Sequence, residues 1–290
     1  MKKQAPPRIL VPLLAFSVLI PGAWSKAEEK TYDLKYRLKP GEEFSLLNMH
    51  ISHQNQKTPS GMVRLRSLTR DLELNYRVVS ADDGVMTLEV EYRKKLYRDT
   101  DQAGKLAMTD FAEILGKKAR YAISPTGELS RFEGFKEMPP VRMPGGYPYT
   151  GVFLQEEIEH LFPTLPDQPI GKGGTWTRKA FGVHIEYTLI DEVKVFGHDC
   201  VRIFARIENE QPVTKRKDRN GNEVTIETVE PYTDIYYFAY KEGKMLYRFS
   251  VASNAQSLMK NDKGELINHM ISDVLYETFV SLAVSPKRAG

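Results

Sequence analysis

From Tyr32 onward apolar and polar residues alternate with a period of two. Tyr32-Asp33-Leu34-Lys35-Tyr36-Arg37-Leu38 is the first such run, and Pro40-Gly41 turns the chain at its end. Alternation of this kind gives a strand one apolar face and one wet face. Glu43 to Ile51 continues as a strand, and the polar stretch from Asn55 to Gly61, with Pro59 near its end, predicts a loop. Leu68–Val79 and Val85–Tyr97 flank Ala81-Asp82-Asp83-Gly84, a hairpin signal with Asp-Gly at its tip. Their inward positions are Leu72, Leu74, Tyr76 and Val78, then Met86, Leu88, Val90 and Tyr92. Tyr121–Ile123 and Leu129–Phe132 form a second hairpin around Ser124-Pro125-Thr126-Gly127.

Two stretches carry helical spacing instead. Leu106, Phe111, Ile114 and Leu115 predict a short helix over Leu106–Leu115. Val152, Phe153, Ile158, Leu161 and Phe162 predict an amphipathic helix with Glu156, Glu157 and Glu159 on its polar side. Alternation resumes in the second half, where a charged hairpin spans Val213 to Asn222 and a tight turn lies at Asn261-Asp262-Lys263-Gly264. A long apolar-rich run from Leu266 to Val284 follows that turn. The class is therefore all-β and mainly antiparallel: two similar sheet units forming a sandwich or a partly open barrel, with one or two short helices.

Between the two units lies Phe162-Pro-Thr-Leu-Pro-Asp-Gln-Pro-Ile-Gly-Lys-Gly-Gly-Thr-Trp176. Prolines at 163, 166 and 169 each fix φ and push the preceding residue toward extended geometry, so neither helix nor central strand runs through this joint. Trp176 is the first large side chain beyond it and is expected to anchor the joint to the second sheet. Four features of the first half recur in order in the second. Gly174-Thr175-Trp176 stands where Gly41 to Phe44 stood, and Ile185–Leu189 where Leu74–Val78 stood. Phe196-Gly197 followed by Val201–Ile203 repeats Asp83-Gly84 followed by Leu88–Val90, and Tyr240–Met245 repeats Ser124–Leu129. An internal duplication explains this order, although antiparallel hairpins with glycine turns resemble one another without common origin. The expected divisions are a signal peptide over 1–27, a first β repeat over 28–140, loop, helix and joint over 141–170, and a second β repeat over 171–290.

The first 27 residues read as targeting sequence. Lys2, Lys3 and Arg8 precede the apolar run Ile9–Ile20, and Ser25-Lys26-Ala27 places small residues at the cleavage-determining positions. Pro12 and Pro21 bound an apolar core too short for a spanning helix of about 20 residues, which argues against a retained anchor. No Cys follows the segment, so a lipid anchor at a mature N-terminal Cys is not expected. Removing the segment takes away Lys2, Lys3, Arg8 and Lys26 and moves the formal charge from +3 to −1. A near-neutral chain offers no electrostatic reason to bind nucleic acid or an anionic membrane surface. Cys200 is the sole cysteine, so no internal disulfide forms and a hydrophobic core must supply the stability. By alternation it shares a face with Arg202 and Arg206, which predicts a partly exposed free thiol.

The motif Phe-Pro-x-Leu-Pro-Asp-x-Pro-Ile followed by Gly-x-x-Trp, set between two β repeats behind a signal peptide, resembles a family of uncharacterised exported bacterial two-repeat β-sheet proteins. That resemblance covers nearly all of the mature chain and brings no assigned activity or catalytic residues. A looser architectural likeness, resting on sheet pattern alone, is to periplasmic lipoprotein carriers whose curved half-barrel holds acyl chains.

Motifs with chemistry are sparse. His50 and His53 sit three apart in a strand pattern, so they point to opposite faces and cannot share a metal. Gly197-His198-Asp199-Cys200 collects three ligand types at a predicted turn with no second cluster to complete a site. Ser257-Leu258-Met259-Lys260 has the Ser-x-x-Lys spacing of penicillin-binding enzymes, but the Ser-Asp-Asn and Lys-Thr-Gly elements are missing. Lys215-Arg216-Lys217-Asp218-Arg219 is the charged tip of a hairpin, suited to solvent or to an acidic ligand. Ile235-Tyr-Tyr-Phe-Ala-Tyr240 is apolar on both faces, which marks either a doubly buried strand or a cavity wall. The expected ligand-binding set is Tyr147, Tyr149, Tyr236, Phe238, Tyr240 and Tyr247, with no catalytic residue, metal or cofactor. The function expected is an exported cell-envelope protein, periplasmic or secreted, that binds a lipid, another amphiphile or an envelope protein. An envelope enzyme acting on glycan or lipid through carboxylates is the alternative.

Overall fold

The computed structural model describes residues 30–58, 61–142, 148–159, 161–180, 183–208, 213–217, 223–229 and 232–282. Among the described residues six strands of the main sheet precede the helix: β1 Glu43–Thr58, β2 Gly61–Asp82, β3 Val85–Asp101, β4 Leu106–Asp110, β5 Lys118–Ile123 and β6 Leu129–Glu133. Helix α1 spans Gly151–Glu159. Eight more strands of that sheet follow: β7 Thr175–Ala180, β8 Val183–Val195, β9 His198–Glu208, β10 Val213–Lys217, β11 Glu223–Val229, β12 Tyr232–Ala239, β13 Lys244–Lys260 and β14 Leu266–Leu282.

These strands make one antiparallel sheet of 14 in the order β7-β8-β9-β12-β13-β14-β1-β2-β3-β5-β6, with β4 added to β3, β11 to β13, and β10 to β11. Among the described residues its end strands β7 and β6 do not pair, so the sheet is not a closed barrel. The first half is a meander β1-β2-β3-β5-β6 and the second a meander β7-β8-β9-β12-β13; β14 pairs with both β13 and β1. The hairpin after β2 turns on Asp83 and Gly84 at φ 51° and 80°, and the hairpin after β8 on Phe196 and Gly197 at φ 49° and 85°. Positive φ at both central positions matches the right-handed twist of the flanking strands. The ladder is interrupted between Val78 and Ser80 in β2, and between Leu189 and Asp191 in β8.

One side of the sheet is packed. Leu46, Leu74, Tyr76, Val78, Met86, Leu88, Val90 and Tyr92 are buried there, as their alternation predicts, together with Leu154, Ile158 and Leu161 from α1 and the residues that follow it. Each such side chain contributes about 1.5–3 kcal/mol on burial. The segment before β1 departs from expectation. Tyr32, Leu34, Tyr36 and Leu38 are buried in alternation, but only Thr31–Tyr32 pairs, and with Ile170–Gly171 of the joint. Beyond Tyr32 the segment runs past two hairpin turns, with the Tyr36 amide donating to Pro125 O at 2.8 Å and the Arg37 amide to Gly243 O at 3.1 Å. Its Tyr36 ring lies edge-on to Phe162 and Phe238. An extended segment laid against a core alternates in burial as a strand does, so period alone does not reveal whether it joins the ladder.

The proline joint docks in a similar way. Leu165 donates its amide to Thr126 O at 2.7 Å, and Trp176 Nε1 donates to Thr164 O at 2.9 Å while its ring stacks on Tyr187 at 5.2 Å. Space for this contact depends on Gly127, at φ +88°, where a Cβ would sit 2.5 Å from Pro163 O and 2.8 Å from Tyr36 Cε2.

Three local expectations are corrected. Leu106–Leu115 is not a helix: β4 pairs back to β3, and only Ala112–Ile114 forms a 3-10 turn. Leu106 and Met108 are exposed while Phe111 and Ile114 are buried, so the apolar spacing there never described one face. Asn55 to Thr58 is strand rather than loop, because the β1–β2 ladder continues to Thr58 and Gly61. Cys200 is fully buried, since it faces Ala239 across the ladder and packs with Leu246, Val193, Val195 and Tyr237. The wet character of its face begins only at Arg202, which pairs with Asp191.

Candidate functional site

The side of the sheet away from the core is exposed enough to bind, and on its central strands it is apolar. Register sets Tyr237, Tyr247, Phe279 and Leu47 side by side on β12, β13, β14 and β1. Tyr237 and Tyr247 are 5.5 Å apart and Tyr247 and Phe279 4.8 Å, with Phe279 37% and Leu47 45% exposed. The neighbouring row is Ile235, Phe249, Glu277 and Met49, and the next contains Val251, Leu275 and Ile51. Ten apolar side chains thus form a contiguous patch, Leu47 and Phe279 exposed and the other eight half-buried. Soluble monomers seldom expose apolar patches beyond a few hundred Å², and larger ones mark binding surfaces.

Toward β2 and β3 the same face becomes charged. A depression of about 180 Å³ is lined by Leu47, Met49 and Phe279 together with Asp71, Glu73 and Lys94. A second, of about 260 Å³, is lined chiefly by Glu43, Arg77, Glu89, Glu91, Arg93 and Lys118. The charges there are largely paired: Glu89 accepts from Lys118 and Arg120, which hold its carboxyl below the ordinary range. This open face therefore offers apolar contact along one half and ionic contact along the other.

The packed face holds buried polar groups in two adjacent cross-strand rows. Asp234, Ser250, Tyr276, His50, Arg70 and Tyr97 form one; Tyr236, Arg248, Thr278, Asn48, Leu72 and Lys95 form the other. Lys95 reaches this face through a bulge. The ladder shifts between Glu73/Lys94 and Leu74/Tyr92, leaving Arg93 as the extra residue, so Tyr92 and Lys95 both point inward. At one end Arg248 Nη2 donates to Asp234 at 3.0 and 3.1 Å, and the Tyr236 hydroxyl donates to Asp234 Oδ2 at 2.8 Å. At the other, Arg70 and Lys95 both pair with Glu157 of α1. Lys95 also donates to the Tyr149 hydroxyl at 2.7 Å and lies 4.1 Å from that ring.

Burial opposes every charge in this cluster. Burial raises the Glu157 carboxyl, but Arg70 and then Lys95 outweigh it and hold the group at about 2. Lys95 falls to about 8, because burial and Arg70 outweigh the pull of Glu157. His50, stacked on Tyr276 at 4.2 Å with rings 8° from parallel, falls to about 3 through burial and the Arg70 cation opposite it, so it is neutral. Glu157 was expected on the polar side of α1; instead two cations draw it against the sheet.

The six residues expected to bind ligand do not lie in one place. Tyr236 and Phe238 are buried on the packed face, Tyr236 in the Asp234–Arg248 network and Phe238 against Tyr36. Tyr247 is on the open face, its hydroxyl donating to Glu277 at 3.2 Å. Tyr240 donates to Glu192, which also accepts from Lys30 and Tyr32. Tyr149 stands beside Lys95, and Tyr147 lies outside the described residues, as does the tip at 218–222. Sequence reasoning passed over Leu47 and Phe279 on the open face and Arg70, Lys95 and Glu157 on the packed one. The available signal was Phe44 to Ile51, where apolar residues occur in both alternation classes. Among the described residues no group of His, Cys, Asp and Glu could hold a metal, and no helix is long and apolar enough to cross a membrane.

No family model and no curated protein matches this chain. Solved structures similar to it include lipovitellin, studied for its lipid–protein interactions, at 10% identity and a TM-score of 0.49 over 88% of this chain; the match spans 27% of that chain. DynF, from the dynemicin biosynthesis pathway of Micromonospora chersina, is similar over 93% of both chains at 6% identity and a TM-score of 0.24. A Bacteroides fragilis protein with a YmcC-like fold is similar over 82% of this chain and 97% of its own, at 12% identity and a TM-score of 0.23. At these scores none of the three carries an argument about function.

Proposed function

We propose that the protein is an exported, non-enzymatic component of the cell envelope that binds an amphiphile on the open face of its sheet. The observation that carries this reading is the apolar patch from Tyr237 to Leu47, bordered by the charged half of the same face. An acyl chain or similar apolar body suits the patch, and a polar headgroup suits the depression where Leu47 and Phe279 meet Asp71, Glu73 and Lys94. Export rests on the N-terminal pattern over 1–27, and the absence of a reaction-specific motif supports a binding role. The recurrence of strand order, positive-φ hairpin and ladder interruption in the two halves supports an origin by duplication. Native mass spectrometry of the mature chain purified without detergent tests the function: a bound species with the mass of a lipid or other amphiphile is expected. A chain that carries none, and takes up none from mixed phospholipid vesicles, contradicts it.

A further inference from the structure

The Arg70–Lys95–Glu157 cluster lies on the opposite side of the sheet from the proposed amphiphile surface, and among the described side chains its charges do not balance. Two cations share one carboxylate, Lys95 is wholly buried, and Arg70 and Glu157 keep 19% and 12% of their side chains exposed. A buried cation without a counter-charge costs several kcal/mol. Nearby polar atoms are also unsatisfied. Arg70 Nε and both ring nitrogens of His50 are buried with no hydrogen-bond partner among the described residues.

Register places His50 and Arg70 directly opposite one another on β1 and β2, where facing side chains are about 5 Å apart at Cβ. Tyr276 stacks on the imidazole and fixes its plane. Arg70 Nε–H can only donate, and a neutral imidazole has one N–H to donate beside it. Two unmet donors beside an excess positive charge select an acceptor that is itself negative, and the same excess charge repels a metal cation. Guanidinium recognises carboxylate and phosphate oxygens alike.

We propose that Arg70 and His50, with Lys95 behind them, form a binding site for an oxyanion, a carboxylate or a phosphate. The exposed part of Arg70 is the route of entry, so α1 stays in place and Glu157 remains paired with Lys95. The oxyanion comes either from a free anion or from the headgroup of an amphiphile.

The test follows the His50 ring signals by NMR in the mature chain during titration with inorganic phosphate, acetate, dodecanoate and uncharged dodecanol. Saturable shifts with at least one of the three anions, and none with dodecanol, are expected. A response to phosphate or acetate identifies a free-anion site, and a response to dodecanoate alone a headgroup site; either supports the inference. Arg70→Gln should weaken anion binding by at least tenfold. His50→Phe, followed by calorimetry, should weaken it severalfold while leaving the fold intact. No saturable response to any anion overturns the proposal, as does an Arg70→Gln variant that is folded and binds as the parent does. Saturable His50 shifts with dodecanol equal to those with dodecanoate also overturn it, because an uncharged alcohol offers no oxyanion.

Discussion

Replacing Glu157 by Gln removes the carboxylate on which Arg70 and Lys95 converge while keeping the size and helix preference of the side chain. Two routes give the size of the effect. Holding the carboxyl at about 2 rather than 4.5 corresponds, at about 1.4 kcal/mol per pH unit, to about 3 kcal/mol of stability at neutral pH. Removing one partner of a buried ion pair costs about 3–5 kcal/mol by general experience, because the remaining charge is stranded. Against a total stability of about 5–15 kcal/mol this is a large fraction. The sign with pH follows from the direction of the shift: the contribution is complete above about 4.5 and is lost as pH falls toward about 2. Urea denaturation of a chain beginning at Glu28, followed by Trp176 fluorescence, should show Glu157→Gln about 3 kcal/mol less stable at pH 7. The gap should close as pH falls from about 4.5 toward 2. A variant within 0.5 kcal/mol of the parent at pH 7, or a gap independent of pH in that range, would refute a buried, charged Glu157.

Other outcomes follow from the same structure. Trp176→Ala should cost about 3 kcal/mol, the lower end for a large aromatic because the ring is only partly buried, and the parent emission should be blue-shifted. Gly127→Ala adds strain at positive φ to a clash with Pro163 O, and should lower the melting temperature by several degrees, whereas Ala at Gly264, with positive φ but open surroundings, should cost less. Cys200, buried and with its thiol pushed up to about 11 by burial, should react with a disulfide reagent only after denaturation; rapid labelling of the native chain would contradict its placement. On the open face, Phe279→Asp should leave stability within about 1 kcal/mol of the parent but abolish amphiphile binding.

The antiparallel all-β class was legible because period-two alternation and Gly-containing turns are local signals. Leu74 to Val78 and Met86 to Tyr92 lie on the face their alternation gave them. What was not legible depends on long-range contact. Tyr32 to Leu38 alternates as a strand but packs across turns at Pro125 and Gly243, and nothing within the segment distinguishes the two. Lys95 is invisible to pattern reasoning because a one-residue bulge at Arg93 exchanges inward and outward positions, so strict alternation points Lys94 and Leu96 into the core instead. Glu157 looked like solvent-facing helix polarity, and only the partners on β2 and β3 reveal otherwise. Of the open-face patch the expected set contains Tyr247 alone: Tyr236 and Phe238 face the core and Tyr240 pairs with Glu192, while Tyr237 and Phe279 join Tyr247 only through strand register.

The most direct measurement of the central claim is photo-crosslinking of a chain beginning at Glu28 with a diazirine-bearing acyl probe, followed by peptide mass spectrometry. The account predicts labels on Leu47, Met49, Tyr247, Phe249 and Phe279, displaced by excess unlabelled lipid. Labels confined to packed-face residues such as Leu72 and Val274, or labelling that excess lipid does not reduce, would contradict it.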